Sequence, residues 1–373
     1  MATNSTNGSS IEARYLASMS TLLFAADDVG SASSAAVDQE LRFISGLDDE
    51  RLRGLLDLAD AHHVTVRLID AILHYASNTG YAGIVARLDA PLAIEQKRIA
   101  NALKFLNAIC NELDNAGCKV TVIKSLDHWP DLGGDLDLYS SGDRNAVIRV
   151  FTERFGARRE PQSWGDRLAN KWNFQIPGLR ELVECHVQWL GQTGEHVALA
   201  RRMENRRMLR QIAEYEFPVP APEERIVIST LQRMYRHFYF RLCDVLNISR
   251  LLQEGAVSFS DLKKTSDLGS VWPGVATLLV IVRDYVRSYG GPGISLPPDV
   301  LASARSSGDR TYVRNKFLRI PMMPEAVELY TKQMFGISAQ GDVRGLLRLS
   351  LLPALATAAV VGYRLTGSDK GIW

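Results

Sequence analysis

The chain has 373 residues and a formal net charge of +1, with 46% hydrophobic and 23% charged residues. That is ordinary globular composition with room for about two or three packed units, and it excludes disordered and fibrous classes. Near-neutral charge also gives no electrostatic footprint for a long DNA or RNA partner, which shows as a basic excess.

Residues 1–38, rich in Ser, Ala, Thr and Asn, read as a flexible leader with one weakly helical piece around Ile11–Ala26. They lack the basic start of a secretory signal, which points to a cytoplasmic protein. Cys110, Cys118, Cys185 and Cys243 show neither C-x-x-C nor zinc-type spacing and read as reduced, buried thiols. Residues 39–115 carry apolar positions at helical spacing, first Leu41–Tyr75 and then a helix begun by Pro91 and ended at Asn115-Ala-Gly117.

Residues 116–195 change period. Cys118–Ile123 and Leu136–Tyr139 read as strands joined by a connector, Asp143–Phe155 as a helix, and Lys171–Ile176 with Leu182–Leu190 as a β-hairpin. Alternation sends Asp135 and Asp137 to one face, about 6–7 Å apart, where at an effective dielectric of about 20 they repel by roughly 2–3 kcal/mol. A divalent cation removes that strain, and oxygen ligands on a rigid strand suit Mg²⁺. The same alternation puts Glu184, His186 and Gln188 together on the polar face of a later strand.

From residue 196 to 340 the chain reads as helical. Pro218, Pro220 and Pro222 mark a linker, and one or two helices over Glu223–Glu254 carry Arg233, His237, Arg241 and Asp244 along one stripe. Residues 341–373 form an apolar helix or tail: Leu349–Tyr363 is about fifteen uncharged residues, short of the roughly 20 that a membrane span needs. Packing against the protein is its first reading, with peripheral membrane contact through 349–363 as the other.

Val122-Ile-Lys-Ser125, nine residues, then Asp135-Leu-Asp137-Leu resembles the signature of the DNA polymerase β-like nucleotidyltransferase superfamily. The flanking helices, the Glu184-Cys-His186 strand and Arg241-Leu-Cys-Asp244 resemble, more narrowly, an uncharacterised bacterial nucleotidyltransferase family related to the aminoglycoside enzymes. The resemblance covers residues 45–280. It implies an α+β fold, a small mixed β-sheet nucleotidyltransferase core (116–195) flanked by an N-terminal helical region and a C-terminal helical substrate domain (196–340). It implies an NTP substrate and two Mg²⁺ ions, with Mn²⁺ as the substitute, held by Asp135 and Asp137, with Glu184 completing the second site or acting as base. Transfer of NMP to a hydroxyl of a small molecule or protein would release pyrophosphate. Lys124, Ser125, Gly133 and Gly134 would meet the phosphates, and His186, Arg233, His237, Arg241 and Asp244 the substrate. Two features depart from the pattern: Lys124-Ser125 has no turn glycine, and Glu184 stands where Asp is common.

Two other functions compete. A metal-dependent glycosyltransferase also uses Asp-x-Asp, but places it after a substantial α/β half, whereas one strand precedes it here. A degenerate member of the fold would bind a nucleotide or partner without turnover, and the missing glycine favours it.

Overall fold

The computed structural model describes residues 5–27, 34–76, 81–308, 311–319, 325–355 and 357–358. Helices α1 (Ser5–Asp27), α2 (Ser34–Ser45), α3 (Asp49–Ala61), α4 (Thr65–Ala76) and α5 (Ala82–Asn115) come first. The α/β portion follows as β1 (Val120–Val122), β2 (Asp135–Ser140), α6 (Arg144–Arg149), β3 (Arg158–Arg159), α7 (Trp164–Ala169), β4 (Lys171–Gln175) and β5 (Leu182–Val187). Beyond it lie α8 (Val197–Asn205), β6 (Met208–Ile212), β7 (Tyr215–Val219), α9 (Pro222–Gln232), α10 (Leu242–Gln253), α11 (Phe259–Asp267), α12 (Trp272–Ser288) and α13 (Pro298–Ser303). A small hairpin of β8 (Tyr312–Arg314) and β9 (Phe317–Arg319) and two helices, α14 (Glu325–Ala339) and α15 (Val343–Ser350), complete the fold, which is α+β as expected.

One mixed sheet of five strands, in the order β1-β2-β5-β4-β3, forms its centre. β2 and β5 run parallel with Asp137 opposite Glu184, while β1 pairs with β2 and β4 with β5 in antiparallel fashion. The sheet's two faces differ in chemistry. Leu136, Leu138, Val183, Cys185, Val187 and Phe174 point to one side and share a buried cluster with Ile99, Leu103, Leu106 and Ile109 of α5. Each such aliphatic side chain contributes about 1.5–3 kcal/mol on burial, so this face fixes the register. A one-residue slip would bury Asp135, Asp137 and Glu184 in that cluster, and the acidic face is therefore set by the apolar one.

Several sequence expectations are corrected. The leader is not flexible over its described part: α1 buries Tyr15, Leu16, Met19, Leu22, Leu23 and Phe24 in the helical core, at i, i+3 and i+4 spacing that its serines and alanines disguised. Pro91 sits inside α5 rather than at its start. The stretch after residue 196 is not continuously helical, because β6 and β7 form a two-stranded ribbon in which Pro218 opposes Leu209. Pro218 therefore belongs to a strand, as proline can in a ribbon with a free edge. Of the one or two helices expected over 223–254 there are two, separated by a π turn at Arg233–His237 and by Phe238, at φ +57°.

No helix among the described residues is long and apolar enough to cross a membrane. The tail's beginning is packed, with Leu349 1% exposed, whereas residues 359–373 lie outside the described residues.

Candidate active site

The site forms on the polar face where β1 hands the chain to β2. At the end of β1 the backbone reverses over Lys124, whose φ of 67° and ψ of −53° lie in the left-handed half of dihedral space. Ser125 N–H donates to Ile123 O at 2.8 Å across it, the pattern of a γ-turn in its strained form. A lysine held there costs of order 1–3 kcal/mol. Ser125 is buried, and its Oγ accepts the Asp137 N–H at 2.7 Å and donates to Asp135 O at 3.3 Å, so this hydroxyl ties the turn to β2 from behind.

Asp135, the first residue of β2, is exposed, and Asp137 lies deeper, with its side chain 16% exposed. Lys124 Nζ reaches Asp137 Oδ1 at 2.6 Å. On β5, Glu184 Oε1 meets His186 Nε2 at 3.0 Å and Oε2 meets Lys171 Nζ at 3.0 Å, while Lys171 also pairs with Asp166 Oδ1 at 2.8 Å. Oxygens of Asp137 and Glu184 and a ring nitrogen of His186 all lie within 4.8 Å of one another. The group that converges is therefore Asp137, Glu184 and His186. Asp135 stands beside it at the solvent edge, in contrast to the expected set of Asp135, Asp137 and Glu184.

Burial pushes the Asp137 carboxyl up to about 6; Lys124 opposes the shift and Glu184 adds to it. Asp135 is raised by desolvation and by Glu184. Glu184 moves the other way: burial works against its charge, but the His186 hydrogen bond and the Lys171 and Lys124 ammonium groups hold it well below the usual range. Burial lowers the His186 pKa despite Glu184, and a neutral imidazole is a metal-ligating form.

The connector is braced from outside. Arg98 donates to Leu132 O at 2.8 Å and to Gly133 O at 3.4 Å and is ion-paired with Glu95 and Glu181. Arg67 pairs with Asp131 at 2.7 Å, and Arg225 with Asp127 at 2.6 Å. A Cβ on Gly133 would meet the His63 ring at 3.4 Å, whereas one on Gly134 would point into open space.

The stripe of Arg233, His237, Arg241 and Asp244 divides. Arg233, 2% exposed, lies 2.7 Å from Asp244 Oδ2, and Asp244 also caps α10 by accepting the Arg241 N–H at 2.8 Å, so this pair is structural. Arg241 meets the ring of His63, which follows α3 and lies against Gly133, and contributes to the field at Asp135. The guanidinium groups of Arg233, Arg241 and Arg319 surround the Tyr239 ring at 5.4–5.9 Å, and Tyr239 stacks on Phe317. This cationic, aromatic wall is suited to an anion bearing a planar ring.

Lys171, Asp166 and His63 were missed from sequence. For Lys171 a signal existed, since alternation in Lys171–Gln175 and antiparallel pairing with β5 set it opposite His186. His63 and Asp166 are brought in by tertiary packing alone.

No family profile matches the chain, and no curated protein does. Among solved structures, the chain is similar to the antibiotic-resistance factor ANT(2'')-Ia at 14% identity, over 44% of this chain and 91% of that one, with a TM-score of 0.33.

Proposed function

We propose that the protein is a divalent-metal-dependent nucleotidyltransferase that moves an NMP from an NTP to a hydroxyl acceptor and releases pyrophosphate. The observation that carries this reading is the parallel register of Asp137 and Glu184, which converge with His186 beside the Lys124-Ser125 turn. The donor set of two carboxylates and a neutral imidazole fits a divalent cation, and its nitrogen suits Mn²⁺ alongside Mg²⁺. Asp137 and Glu184 would hold the ion, with Asp135 and His186 next to them. Bound there, the metal would offset triphosphate charge and lower the pKa of the acceptor hydroxyl.

The chain's own residues supply the rest. Lys124 carries its ammonium at the mouth of the turn, where exchanging Asp137 for phosphate oxygens would keep it paired. Arg241, just before α10, and Arg319 of β9 add cationic charge around Tyr239. Lys171 keeps Glu184 ionised, and Ser125 fixes the height of Asp137 on β2.

A second reading has one specific observation in its favour. The two carboxylates are already neutralised by two lysines, Lys124 on Asp137 and Lys171 on Glu184, as in a scaffold that keeps the fold without turnover. Incubation with each α-labelled NTP and Mg²⁺ separates the readings: transfer or pyrophosphate release, lost in Asp135→Ala and Asp137→Ala, marks the enzyme. Divalent-dependent binding with no release marks the scaffold. The glycosyltransferase reading is disfavoured, since no strand precedes β1 among the described residues.

A further inference from the structure

A cavity of about 410 Å³ opens beside the carboxylates, and Lys124 and His186 form part of its lining. These are the residues bonded to Asp137 and Glu184, so a molecule in the cavity reaches the reacting centre at that end. Elsewhere the wall is largely apolar, with Arg236 and the amides of Gln192, Gln232 and Gln333 set into it. Ile228, Leu231 and Met234 come from α9 and the π turn after it, and Tyr330, Leu349 and Leu352 from the C-terminal helices. Its volume falls within the roughly 300–1,000 Å³ of small-molecule sites, which are lined by apolar groups with a few polar ones placed for orientation.

The roof is fastened rather than loosely laid. Arg344 and Arg348 of α15 lie over the Trp189 ring at 4.6 and 4.5 Å, and Thr193 Oγ1 donates to Arg348 O at 3.0 Å. Tyr330 OH of α14 donates to Leu349 O at 2.9 Å. A carboxylate in the lining, Glu195, is committed: it accepts from the backbone N–H groups of Gln192 and Thr193 at 3.2 and 2.8 Å and lies 3.6 Å from His196. A polycation entering the cavity would find that charge already satisfied, whereas hydrocarbon or aromatic surface would find a matching wall.

We infer that the acceptor is an uncharged apolar alcohol, aliphatic or aryl, whose body fills this cavity and whose hydroxyl points to Lys124 and His186. This rests on the nucleotidyltransferase reading. The acceptor oxygen would bond to the α-phosphorus as the α–β P–O bond breaks, pyrophosphate leaving with that electron pair and the hydroxyl proton passing to water.

The test uses the full chain loaded with the neutral fluorophore N-phenyl-1-naphthylamine. Competitors are 1-decanol, 2-naphthol, the polycation kanamycin and a synthetic peptide of residues 359–373. Two variants, Val327→Glu and Leu352→Arg, alter lining residues that are not fully buried, and Mg–ATP binding is measured in parallel. The expected result is displacement by an alcohol, not by kanamycin, weakened at least tenfold in both variants with Mg–ATP binding unchanged, and labelled NMP on the alcohol after incubation. No displacement by either alcohol while Mg–ATP binds overturns the inference alone. So does displacement that is undiminished in the variants, equal for kanamycin, or strongest for the peptide, which would make the chain's own terminus the occupant. Alcohol binding without NMP transfer contradicts the nucleotidyltransferase reading, and with it the acceptor role.

Discussion

Lys124 Nζ lies 2.6 Å from Asp137 Oδ1, so the residue that closes the turn after β1 also neutralises a half-buried carboxylate of the site. The same lysine holds a backbone conformation that favours glycine. One residue thus carries two costs, a strained turn and a desolvated ammonium, and both are borne at the point where a cation and a triphosphate would meet.

Removing that ammonium should strengthen metal binding in the absence of nucleotide. Lys124→Ala is expected to bind Mn²⁺ roughly tenfold more tightly, about 1.4 kcal/mol, because the metal no longer competes with a fixed positive charge. Calorimetric titration of the nucleotide-free protein measures this. Unchanged or weaker affinity would mean that Lys124 and the metal do not share Asp137.

The turn makes a separate prediction about stability. Lys124→Gly and Lys124→Ala lose the same ion pair and differ in the backbone, so the glycine variant should be the more stable by about 1 kcal/mol, the reverse of the usual order in a regular element. Urea denaturation of the two variants side by side is the measurement. An alanine variant as stable as the glycine one would show that the turn is not strained.

Metal affinity should depend on pH through Asp137. Burial raises its carboxyl to about 6, so below that pH a proton occupies the group that would hold the ion, and above it the carboxylate is free. Mn²⁺ binding is therefore expected to rise as pH increases through about 6 and to level off by about 7.5. A midpoint near the ordinary carboxylate value would remove Asp137 from the ligand set.

Acid sensitivity should come in part from His62. Its Nδ1 accepts the Leu242 N–H at 2.9 Å and its Nε2 meets Lys316 O at 2.8 Å, tying the end of α3 to the start of α10 and to the β8–β9 turn. Burial lowers its pKa from 6.5 to about 4. Above about 6.5 neither state binds the proton; as pH falls towards 4 the unfolded chain takes it up first, and up to about 3 kcal/mol of stability is lost. His62→Gln should reduce the slope of stability against pH over this window by about 1.4 kcal/mol per unit. An unaltered slope would place the acid response elsewhere.

Much of the sheet was legible because a period of two sorts Asp135, Asp137, Glu184 and His186 from Leu136, Leu138, Val183 and Cys185, and nothing but the chain itself is needed to do it. Ser125 was legible as part of the turn. The missing turn glycine was legible as well, but the conformation of Lys124 was not, since residue identity alone does not show that a lysine holds a positive φ. Lys171 required the pairing register between β4 and β5, and His63 required the docking of the helical region onto the connector. The serines and alanines of α1 hid its apolar stripe, and Pro218 beside Pro220 and Pro222 imitated a linker where a strand lies. Misreadings arose where tertiary packing overrode local composition, and the site's polar face was read best where an apolar face fixes its register.

In the proposed function Asp137 and Glu184 together hold a divalent ion on a nucleotide. Calorimetric titration with a nonhydrolysable α,β-methylene NTP, in Mg²⁺ and in EDTA, of the wild type, Asp137→Asn and Glu184→Gln tests it most directly. The wild type should bind in Mg²⁺, with affinity at least tenfold weaker in EDTA and in each variant. Equal binding with and without the metal, or binding undiminished in both variants, would contradict it.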